Sequence, residues 1–96
     1  MFILHLDIVL KRDSGDQFVS LHREKFTPAI SAQAGFSSTT LLKPTEVNAD
    51  FDFRLEIAFT TQEAQLAWVA TDVHQKVWSE MEAKIDKYTI LRFDAP

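Results

Sequence analysis

Phe51-Asp52-Phe53-Arg54-Leu55-Glu56-Ile57-Ala58-Phe59, followed by Thr60-Thr61-Gln62-Glu63-Ala64, decides the fold. The first part alternates. Phe51, Phe53, Leu55, Ile57 and Phe59 fall on one face, and Asp52, Arg54, Glu56 and Ala58 on the other, which is the period of a half-buried strand. The period then changes. Thr60-x-x-Glu63 has the spacing of a capping box and opens a helix. The later apolar stripe of that helix runs through Ala67, Ala70, His74, Val77, Met81 and Ile85. Thr71-Asp72 offers a second N-cap, so the helix is expected to break near Ala70 and restart. Lys84 and Lys87 fall in its last turn, where the helix dipole favours cations. Tyr88 to Phe93 reads as the closing strand.

The same unit stands upstream. Phe2, Leu4, Leu6, Ile8 and Leu10 alternate with Ile3, His5, Asp7, Val9 and Lys11, giving a strand. Asp13-Ser14-Gly15-Asp16 is a turn in which Ser14 or Asp16 can cap a helix. That helix is predicted from about Gln17 to Ala34 with a stripe of Phe18, His22, Phe26, Ala29 and Ile30. Pro28 removes one of its hydrogen bonds, so a kink or break is expected near Thr27. Gly35 is read as its end. Phe36 to Lys43 is a strand, and residues 44–50 form a loop. The order β-α-β-β-α-β points to an α+β, ferredoxin-like antiparallel sheet with both helices on one face.

Ninety-six residues with 46% apolar and 25% charged residues make one globular domain spanning 1–96. The longest apolar run, Leu66 to Ala70, is far too short to span a bilayer. His5 and Asp7 interrupt the apolar start, so no signal peptide is expected. The absence of cysteine excludes disulfides and thiolate chemistry and fits a cytoplasmic setting. With a net charge of −4 and cations that alternate with acids, as in Arg23-Glu24-Lys25, nucleic-acid binding is not expected.

The first and third strands are neighbours in such a sheet. Their faces turned away from the helices carry His5, Asp7, Arg54 and Glu56 among Ile3, Val9 and Ala58. Either this face is washed by solvent or a second sheet covers it.

Several residues carry a resemblance. They are Gly15 before the first helix, Ala34-Gly35-Phe36 leading to Leu41-Leu42-Lys43, and Phe59-Thr60-Thr61-Gln62-Glu63-Ala64 leading to Trp68-Val69-Ala70-Thr71-Asp72-Val73-His74. In this ordered combination the chain resembles antibiotic-biosynthesis-monooxygenase-like domains of the dimeric α/β-barrel superfamily. The resemblance covers Phe2 to Phe93. It implies a homodimer whose two sheets pack face to face, and a pocket between helices and sheet in each subunit. It further implies oxidation of phenols, quinols or anthrones with no metal or flavin, so no cofactor is expected. A haem-degrading branch also shares the Trp and the restarted helix. Its axial His falls at Trp78 here, and its first-strand Asn is replaced by His5 and Asp7, so haem degradation is disfavoured.

His74 and His22 are the catalytic candidates. Each is either a buried neutral histidine satisfied by a neighbour or a pocket base, since imidazole titrates near neutrality. The two could stand on opposite walls of one pocket or in separate parts of the core. His5 points away from the helices, so a three-histidine metal site is disfavoured. Trp68, Trp78 and Phe26 are either core bulk or the walls that hold an aromatic ligand. Tyr88 and Arg92, two alternations apart on the last strand, are surface residues or a phenolic donor and an anion contact for that ligand. No glycine-rich phosphate loop and no Ser-His-Asp arrangement is present. Two functions follow: a cofactor-independent monooxygenase acting on a small aromatic, or a non-catalytic dimeric ligand-binding domain.

Overall fold

The computed structural model describes residues 1–96. Four strands, β1 (Phe2–Leu10), β2 (Phe36–Leu42), β3 (Phe53–Phe59) and β4 (Ile85–Asp94), form one antiparallel sheet in the order β2-β3-β1-β4. Strands β1 and β3 are central, as the strongest alternation requires. Phe2, Leu4, Leu6 and Ile8 are buried, while the intervening residues keep partial exposure. With the helices on one side of this sheet, the fold is ferredoxin-like. The core joins these residues to Leu55, Ile57 and Phe59 of β3 and to Phe18, Phe26, Ile30, Trp68, Val77 and Met81 of the helices. Burying each such side chain contributes about 1.5–3 kcal/mol relative to leaving it in water.

The first helical run begins earlier than predicted, at Gly15. Helix α1 (Gly15–Leu21) passes into a π-helical turn at His22–Phe26 and then into α2 (Thr27–Ser31). Ser14 occupies the N-cap position but makes no capping bond; its hydroxyl instead lies 3.5 Å from the Arg12 carbonyl oxygen. The irregularity expected near Thr27 lies upstream of it. The wider turn ahead of Pro28 spreads the backbone where the ring would otherwise meet the preceding carbonyls. Thr27 closes this turn twice. Both its N–H and its hydroxyl donate to the His22 carbonyl, the hydroxyl at 2.7 Å. The run ends at Ser31 rather than Ala34. Gly35 follows the turn beyond it with φ of +79°, a left-handed conformation that admits glycine without strain.

In the second half, α3 (Gln62–Val69) starts one residue later than the predicted capping box, with Thr61 rather than Thr60 as N-cap. Its hydroxyl accepts from the Ala64 N–H at 3.1 Å. The predicted break is present at Ala70, and Thr71 caps α4 (Asp72–Glu82). Ile85, which continues the helical spacing of Met81, instead opens β4, and Lys84 and Lys87 lie beyond the helix. No helix is long and apolar enough to cross a membrane.

Cross-strand register puts His5 opposite Glu56 and Asp7 opposite Arg54 on the face away from the helices. His5 Nε2 lies 2.7 Å from Glu56 Oε2, and Arg54 grips Asp7 with two hydrogen bonds of 2.6 and 3.0 Å. That grip holds the Asp7 carboxyl below its ordinary 3.8. Around these pairs stand Ile3 and Val9, with Leu42, Leu91 and Phe93 exposed.

Candidate functional site

A cavity of about 260 Å³ opens between the second pair of helices and the β4 side of the sheet. Its floor is strand residues that alternation turns toward the helices: Leu6, Ile57, and Tyr88, Ile90 and Arg92 of β4. The last three face inward because they pair with Ile8, Leu6 and Leu4. Phe26 from the π turn forms one wall. Gln65, Trp68 and Val69 of α3 and His74 and Trp78 of α4 form the other. A larger cleft of about 530 Å³ lies at the opposite end of the sheet around Lys11, Arg12 and Lys43. Its walls are mostly charged and polar, whereas eight of the eleven residues around the smaller cavity are hydrophobic. Apolar walls with a few convergent polar groups are the usual make-up of a small-molecule site.

The break at Ala70 builds this wall. Thr71 Oγ1 donates to the Trp68 carbonyl at 2.8 Å and accepts from the His74 N–H at 3.1 Å, tying the end of α3 to the start of α4. As a result the Trp68 and His74 rings stand edge to face, with centroids 5.0 Å apart. Trp68 is 2% exposed and meets Phe26 in the same manner at 6.1 Å. Trp78 stands perpendicular to Tyr88 at 5.7 Å. Edge-to-face contacts of this kind fix ring orientations as well as filling space.

His74 is the chemically distinctive member. Burial pushes its imidazole below the ordinary 6.5, so it is neutral at pH 7. Its position in the first turn of α4 acts in the same sense, because the positive end of the helix dipole disfavours a cation. Its Nδ1 is closed off from solvent and has no hydrogen-bond partner. A neutral imidazole carries one N–H and one lone pair, and here a partner for the ring is missing on the protein side.

The structure therefore brings Phe26, Trp68, His74, Trp78, Tyr88 and Arg92 to one cavity and leaves His22 out of it. His22 stacks on Phe26 at 5.7 Å, one layer behind the cavity wall. Its Nε2 lies 3.1 Å from Thr39 Oγ1 of β2, and burial lowers its pKa as well. The two histidines do not face each other across a pocket. No group of three or more His, Asp or Glu side chains is placed to hold a metal ion. Gln65, which sequence reasoning did not single out, is buried in the cavity wall. Its spacing from Trp68, three residues on one helix, is the signal that could have found it.

No protein-family model matches the chain, and no curated protein is similar to it in sequence. Solved structures do match over its whole length. A candidate antibiotic biosynthesis monooxygenase from Nitrosomonas europaea is 14% identical, covers 99% of this chain and 98% of its own, and superposes with a TM-score of 0.79. A DABB family protein with a ferredoxin-like fold from Mesorhizobium loti is 18% identical, with coverages of 99% and 97% and a TM-score of 0.77. SnoaB, a cofactor-independent oxygenase from Streptomyces nogalater, is 18% identical, with coverages of 99% and 90% and a TM-score of 0.76. The chain has the fold of these proteins. At such identities the activity has to be argued from the site.

Proposed function

We propose that the chain is a cofactor-independent monooxygenase that oxidises a small electron-rich aromatic, a phenol, quinol or anthrone, in the cavity beside Trp68. The observation that carries this reading is the neutral His74 imidazole in the wall of an aromatic cavity, with Nδ1 closed off and Nε2 neither closed off nor hydrogen-bonded to the protein. Such a group is suited to take a proton from an acidic ring position. The anion left behind is electron-rich enough for dioxygen to accept its electrons directly. For an anthrone the balance closes without an outside reductant. Two hydrogens leave the ring carbon, one oxygen atom becomes its carbonyl, and the other departs as water. Phe26, Trp68 and Trp78, which line the cavity, would hold the ring and exclude water, while Arg92 and Tyr88 on its floor would stabilise the developing oxyanion. His22 acts one layer back, by holding Phe26.

Oxygen uptake with hydroquinones and anthrones, measured for the wild type and His74→Ala, tests the proposal. Uptake that requires the protein and collapses in the variant supports it; uptake indifferent to the substitution removes His74 from the chemistry.

A second reading is a ligand-binding domain without catalysis. One observation favours it: no protein group orients the His74 ring through Nδ1, whereas working bases are commonly oriented by a third group. Saturable binding of the same compounds with no oxygen uptake would select it. Haem degradation is not carried forward. Trp78 occupies the place of the axial histidine, and a cavity of about 260 Å³ falls below the usual range even for drug-sized ligands.

The same reading includes a homodimer formed through the open face of the sheet. Exposed Leu42, Leu91 and Phe93 surround the half-buried Arg54–Asp7 ion pair and the His5–Glu56 hydrogen bond there, and Phe93 packs its ring 4.8 Å from that of His5. An apolar surface of this kind calls for a cover. Sedimentation of Leu91→Asp should show monomers where the wild type shows dimers.

A further inference from the structure

Helix α3 is packed inside out for its sequence. Its buried residues are Gln65 and Trp68, while Leu66, the neighbour of Gln65, is 56% exposed. A leucine stands in solvent and a glutamine stands in the wall of the cavity. The Gln65 residue is only 9% exposed, and its side chain takes part in none of the protein's hydrogen bonds. Neither of its amide atoms is closed off from solvent, so the amide, unpartnered within the protein, is open to water or to a ligand at the cavity. In this it differs from the polar side chains that meet a protein partner. His22 has Thr39, and the hydroxyl of Ser14 lies near the Arg12 carbonyl. Gln65 has the cavity.

We propose that Gln65 is a specificity-determining residue: its amide hydrogen-bonds an oxygen substituent, hydroxyl or carbonyl, of the aromatic ligand. An amide offers both a donor and an acceptor, so it serves the hydroxyl of a reduced ring and the carbonyl of an oxidised one. The proposal rests on the reading of this cavity as an aromatic site and adds what that site selects. Phe26, Trp68 and Trp78 accept any flat ring of the right size, and Gln65 together with His74 accepts only an oxygenated one. A site built to hydrogen-bond a hydroxyl rejects the analogue lacking it, because the protein group is then left unpaired.

The test is a titration of the protein with naphthol and with methylnaphthalene, which replaces the hydroxyl by a group of similar size. Binding is read from the NMR signal of the Trp68 indole N–H for the wild type, Gln65→Leu and Gln65→Met. The wild type should prefer naphthol by roughly tenfold. Both variants should lose that preference while binding methylnaphthalene at least as tightly as the wild type. Two variants are used so that a folding defect in one leaves the other informative. A preference that survives in a folded variant overturns the role of Gln65. Binding of both probes by the wild type without discrimination overturns it too, yet leaves the aromatic cavity standing. Failure of both probes to bind the wild type overturns the cavity reading and this one with it.

Discussion

Each half of the molecule carries a histidine on an irregular helical run, His22 buried and His74 half-buried. In the first half the distortion is a π turn at His22–Phe26 inside an unbroken run; in the second it is a clean break at Ala70 with a new cap at Thr71. Burial lowers the pKa of both imidazoles. What separates them is the partner. His22 meets Thr39 across the helix–sheet interface, while His74 Nδ1 meets nothing and its ring borders a cavity. A perturbed histidine therefore does not mark a site by itself. Nor does an unmet hydrogen-bonding atom, since Glu80 Oε2 is also buried without a partner and lies outside the cavity; the proposed role of His74 rests on its ring bordering that cavity.

The most forceful way to break this comparison is to exchange the roles. His74→Ala should reduce oxidation of an anthrone by about a hundredfold to ten-thousandfold, the usual worth of a general base, with little change in urea-induced unfolding. His22→Ala should do the opposite. It strands the Thr39 hydroxyl and loosens Phe26, so about 1–3 kcal/mol of stability should be lost while most turnover per folded molecule remains. If His22→Ala abolishes turnover in folded protein, the separation of the two histidines fails.

Where the halves meet, Gly35 should give the next largest effect. A Cβ there would lie 2.6 Å from the Ala64 Cβ of α3 and 3.0 Å from Thr60 Oγ1, at a backbone φ of +79°. The Gly35 carbonyl also accepts from the Thr60 N–H at 2.8 Å, so the two segments have little freedom to separate. Left-handed strain and overpacking together predict a loss of about 2–4 kcal/mol for Gly35→Ala. Urea titration checks this. A loss under about 0.5 kcal/mol would show that α3 shifts freely over the first half, contrary to a rigid cavity wall.

The sequence made the strands legible because period two is hard to imitate: the Phe2–Leu10 alternation assigns both faces of the central strand, including the outward turn of His5 and Asp7. The break at Ala70 was legible because Thr71-Asp72 carries its own cap. Other features depend on three-dimensional context. Pro28 announces a disturbance, but whether the helix kinks or widens into a π turn is decided by what packs around Phe26. Ile85 fits the helical stripe after Met81 as well as it fits a strand, and pairing with Leu10 of β1 decides the matter. Hydropathy puts Leu66 inside and Gln65 outside, the reverse of what is found. Trp68, His74, Trp78, Tyr88 and Arg92 could be proposed as candidates from residue type and spacing. Their convergence, and the exclusion of His22, required the relative placement of helix and sheet.

The two caps of the second half sharpen the comparison further. Thr61 and Thr71 each accept one backbone hydrogen bond at 3.1 Å, from Ala64 and His74 respectively. Thr61→Ala and Thr71→Ala should therefore cost about 1 kcal/mol each in thermal or urea unfolding. Only Thr71→Ala should also alter the site, because Thr71 alone binds both the Trp68 carbonyl and the His74 N–H. A changed NMR titration of His74 is expected in Thr71→Ala and not in Thr61→Ala. Equal responses would mean that the elbow does not position the ring.

The smallest expected effect is a dependence of stability on pH, and its sign follows from both histidines being held below 6.5. Above 6.5 neither the folded nor the unfolded chain is charged at these positions, and the contribution to stability is complete. As the pH falls through 6.5 the unfolded chain takes up protons that the folded protein refuses, so stability declines until the folded pKa values are reached. Asp7 adds a loss of the same sign at lower pH. Its carboxyl is held below 3.8 by Arg54, so its contribution is present above 3.8 and disappears as the pH drops beneath it. Urea unfolding at closely spaced pH values should show the upper slope reduced in His22→Gln and in His74→Gln, and the lower one reduced in Asp7→Asn. A ligand that hydrogen-bonds His74 should change only the His74 share, since His22 lies behind Phe26. If saturating naphthol changes the slope in His74→Gln as much as in the wild type, the ligand is acting on some other titrating group.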